Sequence, residues 1–224
     1  MDSYNKDVSK IAEKYSEMYR KHGYSQESLF MANGKQFERF DSKFNIGVQS
    51  GDSILDLGCG FGDMLAFAEY RKLDIIYTGI DISAEIIDEA KKRYPDNDFR
   101  VADILQNRLE EKWDWGFLIG ALNIKLANHD TWQFSKDMIS ELFRVSKKGV
   151  AVDFLSSFVN YKEKGSFYAD CNEVLSFAKS LSKRVSLKHD YLPYEFTIHI
   201  YKEDAVADNN SFVDYEDFPS IFQK

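Results

Sequence analysis

The chain has 224 residues, 44% of them hydrophobic, enough to bury the core of one α/β domain with additions. Its 37 acidic residues outweigh 29 basic ones, and a net charge of −8 argues against a partner gripped through a phosphate backbone. No apolar run approaches the ~18 residues of a membrane span, and the polar start Met1-Asp2-Ser3-Tyr4-Asn5-Lys6 lacks a signal-peptide apolar stretch.

Two cysteines, Cys59 and Cys171, give no disulfide framework and no metal-ligand pattern. A cytoplasmic protein without a metal is expected. Residues 5–21 read as an amphipathic helix, with Val8, Ile11, Tyr15 and Met18 on one face, and Gly23 stops it. Residues 35–47 form a second helix carrying Phe37, Phe40 and Phe44 on one stripe. Strands are expected at 53–57, 75–81, 98–102, 114–120 and 149–156, and helices at 62–71, 83–93, 130–146 and 171–182. The strands are continuous apolar runs, as when helices cover both faces of a sheet. Their alternation with helices predicts a doubly wound, mainly parallel sheet.

Two last strands, 184–188 and 195–201, are joined too closely for a parallel crossover and must form an antiparallel hairpin. The expected fold is α/β, with seven strands and a terminal antiparallel one. The chain divides into a helical cap at 1–50, a ligand-binding core at 51–202 and an acidic tail at 203–224. Lys91-Lys92-Arg93 ends a helix, where cations complement the helix dipole.

The most telling segment is Ile54-Leu55-Asp56-Leu57-Gly58-Cys59-Gly60-Phe61-Gly62-Asp63. A strand breaks into three alternating glycines, and a helix follows. Without side chains at Gly58, Gly60 and Gly62, a ligand can lie against bare backbone. The spacing is G-x-G-x-G, not the dinucleotide G-x-G-x-x-G. Asp56 at the strand end would repel pyrophosphate, so a ligand carrying an amino group fits better.

Residues 54–63 resemble motif I of the class I S-adenosylmethionine-dependent methyltransferases. The resemblance continues at Tyr77-Thr78-Gly79-Ile80-Asp81-Ile82-Ser83, at Phe99-Arg100-Val101-Ala102-Asp103-Ile104, and at Trp113 to Gly120. It covers about residues 50–156 in the family's order. It implies S-adenosyl-L-methionine as cofactor and S-adenosyl-L-homocysteine as product. Asp56, Gly58 and Gly60 would hold the methionine half, with Asp56 near its ammonium. Asp81 can accept both ribose hydroxyl hydrogens, with Ile82 on the adenine face; a helix cap is the alternative for Asp81. Asp103 would accept the adenine amine and Ile104 flank the ring, against a plain N-cap for Asp103. Gly120 closes strand four on the cofactor side. Arg39 resembles the arginine that some small-molecule members pair with the cofactor carboxylate; a surface arginine is the alternative.

Transfer from a sulfonium needs close alignment above all, and a general base only if the nucleophile arrives protonated. Asn123 ends strand four, and the turn after the sixth strand offers His189, Tyr191 and Tyr194. His189 is the candidate base, and Asn123, Tyr191 and Tyr194 are candidate acceptor contacts; a structural hairpin tip is the alternative. Tyr15 and Tyr19 on the first helix resemble a lid of small-molecule members, with Tyr19 an acceptor contact. No Asn-Pro-Pro-Tyr or Asp-Pro-Pro-Tyr follows strand four, as in methyltransferases of flipped bases. The sequence therefore points to methyl transfer onto an O or N atom of a small molecule. Methylation of RNA or protein, and cofactor binding without catalysis, are the alternatives.

Overall fold

A computed structural model describes residues 3–31 and 35–202; the acidic tail at 203–224 lies outside the described residues. Eight strands form one sheet: β1 (Ser53–Leu57), β2 (Ile76–Asp81), β3 (Asp98–Val101), β4 (Trp113–Leu118), β5 (Ser146–Ser156), β6 (Tyr168–Ala169), β7 (Val185–Leu192) and β8 (Glu195–Tyr201). The order is β3-β2-β1-β4-β5-β8-β7, with β6 a short addition beside the end of β5. β1 to β5 are parallel, and β8 runs antiparallel between β5 and β7. The expected mainly parallel sheet with a terminal antiparallel hairpin is thus the fold observed. β1, β4 and β8 are buried almost throughout, whereas the edge strands β3 and β7 are only partly covered.

The helices are α1 (Ser3–His22), α2 (Gln36–Phe44), α3 (Met64–Tyr70), α4 (Ala84–Arg93), α5 (Thr131–Val145) and α6 (Cys171–Leu181), with a 3₁₀ turn at Gln26–Leu29. One sheet face packs on α5 and α6 through Ile139, Leu142, Val145, Val174 and Ala178. The other packs on α2, α3 and α4 through Phe40, Phe44, Met64, Phe67 and Ile87. Fully burying each of these side chains other than Ala178 contributes roughly 1.5–3 kcal/mol.

The expected cap at 1–50 holds two different things. Phe40 and Phe44 of α2 share a core cluster with Ile54 of β1 and Phe117 of β4, so α2 is part of the central packing. α1 has only Asp7 and Ser16 buried among its 20 residues and is laid over the rest.

β8 explains how α2 is held. Its residues alternate, so Phe196, Ile198 and Ile200 face the α5/α6 core while Glu195, Thr197 and His199 face α2. Arg39 donates to Glu195, Lys43 to Thr197, and Ser42 pairs with Thr197 at 3.0 Å. His199 Nε2 donates to Ser42 O at 2.8 Å, and burial pushes its pKa down to about 4. All three strand residues are fully buried.

Two departures from the sequence reading bear on function. β7 extends to Leu192, past the expected end at 188, leaving only Pro193 and Tyr194 in the turn. The register on β8 also shifts between Lys188 and Leu192. His189 and Tyr191, two residues apart, therefore fall on opposite sheet faces.

Candidate active site

β1 neighbours both β2 and β4, so the chain's crossovers diverge there and leave a crevice at the strands' carboxyl ends. The crevice is a cavity of about 690 Å³. Its floor is the β1–α3 turn. Gly58 has φ +71°, and a Cβ there would lie 2.8 Å from the Ala121 methyl. Gly58 N and Cys59 N donate to Ile80 O at 2.8 and 3.2 Å, tying the turn to β2. Cys59 is buried, which raises its thiol pKa and leaves it no role as a nucleophile.

Of the carboxylates that line the crevice, three, Asp56, Asp81 and Asp103, come at or just past the carboxyl ends of β1, β2 and β3. Asp56 is 3% exposed, and its Oδ2 accepts from Tyr77 OH at 2.8 Å. Its Oδ1 is buried with no partner, and burial pushes the pKa up to about 7. Such an orphaned acceptor is costly unless a ligand donor meets it. Asp81 accepts from Gly60 N at 3.1 Å and Ser83 N at 2.9 Å, so it locks the glycine turn to the start of α4. The cap of α4 is Ser83, whose hydroxyl accepts from Ile86 N. Asp103 accepts from Leu105 N at 3.0 Å, Gln106 Nε2 at 2.7 Å and Tyr4 OH at 2.7 Å.

Across from the turn stands Gly120, with φ +69° and its N–H on Asp153 Oδ1 at 2.7 Å. Arg39 and Glu195 form the neighbouring wall. Arg39 Nε donates to Glu195 Oε2 at 2.8 Å, Nη2 to Oε1, and Nη1 meets Met31 Sδ at 2.7 Å. The guanidinium is thus mostly committed within the protein.

α1 crosses the opening. Tyr4, Val8, Ile11 and Tyr15 recur at helical spacing and line the cavity. Polar contacts seat the helix: Asp7 accepts from Asn128 N and Nδ2, both at 2.8 Å, and Ser16 Oγ lies 3.0 Å from Ser83 Oγ.

The structure brings Arg39, Asp56, Gly58, Gly60, Asp81, Ile82, Asp103, Ile104 and Gly120 to this one cavity, together with Asn123 and Tyr194. Three other candidates are elsewhere. His189, the expected base, lies against Phe158 and Phe196 on the α6 side, with ring centroids 6.5 and 5.9 Å away. Tyr191 turns to the α2 side, its hydroxyl 2.9 Å from Thr197 Oγ1. Both corrections follow from the register shift in β7. Tyr19 is the third: its hydroxyl donates to Glu89 Oε2 at 2.9 Å, so it docks α1 on α4.

Sequence reasoning missed Tyr4, Leu29, Met31 and Glu195, and also the 157–168 excursion that brings Val159, Tyr161 and Tyr168 to the cavity. The excursion is stitched to the segment after β4 by Phe167 N on Asn123 O at 2.8 Å and Lys125 N on Gly165 O at 2.9 Å. Tyr4 sits one turn before Val8, and extending the α1 stripe backwards would have found it.

A seven-strand order ending in an antiparallel hairpin, a bare glycine turn and an acidic residue at each of three strand ends define one class. The chain belongs to the class I S-adenosylmethionine-dependent methyltransferases. Residues 54–149 match the family described as "Methyltransferase domain". Rv1506c of Mycobacterium tuberculosis, which carries a methyltransferase name, is 33% identical over 161 residues, 67% of this chain and 93% of that protein. The magnesium protoporphyrin IX methyltransferase of Synechocystis PCC 6803, solved with S-adenosylmethionine, matches with TM-score 0.63 and 15% identity over 88% of this chain and 97% of its own. The plantazolicin methyltransferase BamL, solved with a triazolic desmethylPZN analogue and S-adenosylhomocysteine, matches with TM-score 0.55 and 12% identity over 88% and 98%. At these identities the two structures establish the fold.

S-adenosylmethionine is the cofactor, and the cavity suits it on its own evidence. The unpartnered Asp56 Oδ1 awaits a cationic donor, and the glycine turn leaves the space that a Cβ would fill. Among the described residues, no group of His, Cys, Asp or Glu is placed to hold a metal ion, and no helix is long and apolar enough to cross a membrane.

Proposed function

We propose that the chain transfers a methyl group to an O or N atom of a small molecule, within an α1-covered cavity. The observation that carries this reading is the roof. α1 lies over the cavity with Tyr4, Val8, Ile11, Lys14 and Tyr15 along it and polar attachments to Asp103, Asn128, Ser83, Glu89 and Glu85, leaving a partly covered chamber suited to a metabolite. The acidic balance of the chain supports the same reading, since nothing in it favours a polyanion. A cytoplasmic setting is part of the proposal.

In this reading Asp56 meets the cofactor's ammonium, Asp81 its ribose, and Asp103 and Ile104 its adenine. The acceptor occupies the other end, against Asn123, Leu155, Val159, Tyr161, Tyr168 and Tyr194. Asn123 Oδ1 accepts from Leu155 N at 3.0 Å, so its amide group is left to address an acceptor. The cofactor supplies an electrophilic methyl on a sulfonium. The protein's share is alignment and exclusion of water, which in well-oriented systems removes roughly 7–11 kcal/mol of barrier. No base is assigned, because His189 faces away from the cavity.

The relatives named above extend the range of acceptors to consider: one takes its name from magnesium protoporphyrin IX and the other from plantazolicin. The test is transfer of isotopically labelled methyl from S-adenosylmethionine into a metabolite extract, with total RNA and protein assayed alongside. Label in the low-molecular-mass fraction is expected. Label confined to RNA or protein would overturn the small-molecule reading.

A further inference from the structure

β5 is apolar from Val150 to Phe154 except at Asp153, which is 1% exposed. A buried carboxylate carries a desolvation penalty of several kcal/mol, and apolar residues would serve the sheet better. Its place suggests what it is for. The backbone ladder of β4 on β5 ends at Leu118 and Val152. Two residues later the chain turns through Gly120 at φ +69°, where Asp153 Oδ1 accepts the Gly120 N–H at 2.7 Å. A side chain takes over where the ladder stops.

The other oxygen is also committed. Lys43 Nζ, itself fully buried, donates to Asp153 Oδ2 at 2.6 Å, to Thr197 Oγ1 at 3.0 Å and to Ser42 Oγ at 3.2 Å. Three acceptors match the three hydrogens of an ammonium. The far side of Gly120 is covered by Met31, whose methyl lies 3.0 Å from where a Cβ would stand. Gly120 is therefore held by Asp153 and capped by Met31.

We propose that Asp153 is a positioning residue for S-adenosylmethionine: it fixes the Gly120 backbone as the cofactor wall opposite the glycine turn, with Lys43 as its buried counter-ion. A purely structural pair would be replaceable by apolar side chains at little cost. A positioning pair is not, because the Gly120 N–H loses its acceptor.

Two double variants separate these roles. Lys43→Met/Asp153→Asn removes both charges and keeps an oxygen for Gly120 N, whereas Lys43→Met/Asp153→Leu removes the oxygen as well. The readouts are thermal stability and calorimetric affinity for S-adenosylhomocysteine. The asparagine variant is expected to bind like the unsubstituted protein, and the leucine variant about ten-fold more weakly at similar stability. Equal affinity in the two variants would overturn the proposal. If the leucine variant fails to fold, the Gly120 amide in the unsubstituted, ligand-free protein decides. Slow hydrogen exchange there, together with a shift of that amide's resonance on adding S-adenosylhomocysteine, supports the proposal, and fast exchange or an unmoved resonance overturns it.

Discussion

Arg39 on α2 grips Glu195 on β8 with two of its guanidinium nitrogens, and both side chains are buried. The contact ties the helix that precedes the glycine turn to the antiparallel strand beside β5. Removing one partner of such a pair leaves the other charge uncompensated, which costs roughly 3–5 kcal/mol. Arg39→Met is therefore expected to lower the unfolding midpoint of the ligand-free protein sharply, as read by chemical denaturation. Unchanged stability with weakened cofactor binding would assign Arg39 to the ligand alone.

With Asp56 on the cofactor's ammonium, as proposed, cofactor binding is expected to be proton-linked through that carboxyl. Burial raises its pKa to about 7, helped by the charges of Asp81, Asp153 and Asp63, while the Tyr77 hydroxyl acts the other way. Its folded value lies above the unfolded one, so the native state binds the extra proton between about pH 4 and pH 7. The stability from this group is full below that window and is lost as pH rises through it. A cationic ligand ionises Asp56, so binding near pH 6 should release a proton. Calorimetry in buffers of different ionisation enthalpy would show it, and Asp56→Asn should abolish it. Proton-independent binding in the unsubstituted protein at pH 6 would contradict this account.

Gly58 and Gly23 offer a matched pair. Both have positive φ, but a Cβ on Gly58 meets Ala121 at 2.8 Å while one on Gly23 meets nothing within 4 Å. Gly23→Ala is expected to cost only the backbone strain, about 1 kcal/mol, and to leave cofactor affinity alone. Gly58→Ala adds a clash in the binding turn and should weaken binding at least about ten-fold. Similar affinities for the two variants would show that the turn adapts.

His189→Ala is expected to leave turnover close to that of the unsubstituted protein across pH. Its ring packs against Phe158 and Phe196 rather than the cavity, so the cost should be about 1 kcal/mol of stability. A turnover loss of 100-fold or more, with a flattened acidic limb, would restore His189 as the base.

What the sequence revealed follows the range of the interactions. The glycine turn and the acids at the strand ends are local, so Asp56, Asp81 and Asp103 could be read from spacing and strand order. The alternation in Glu195-Phe196-Thr197-Ile198-His199 was visible too, but a polar face ordinarily means solvent. Here α2 covers it, and only a contact about 155 residues distant in sequence, such as Ser42 with Thr197, discloses that. The slip in β7 was hidden for another reason. Lys188-His189-Asp190-Tyr191 has no apolar alternation, so nothing in it fixes which side each residue takes.

α1 is attached to the domain through five polar contacts: Tyr4 to Asp103, Asp7 to Asn128, Ser16 to Ser83, Tyr19 to Glu89 and Arg20 to Glu85. Its rings also pack on Phe134, Phe30 and Phe61, but only Asp7 and Ser16 are buried, so detaching it is expected to cost less than unfolding the sheet. On the proposed reading, a ligand bound beneath leaves more readily once α1 has lifted. The residence time of the spent cofactor would then follow how often five polar seams open together, and the slowest step of the cycle would lie in the first 20 or so residues, far in sequence from the glycine turn.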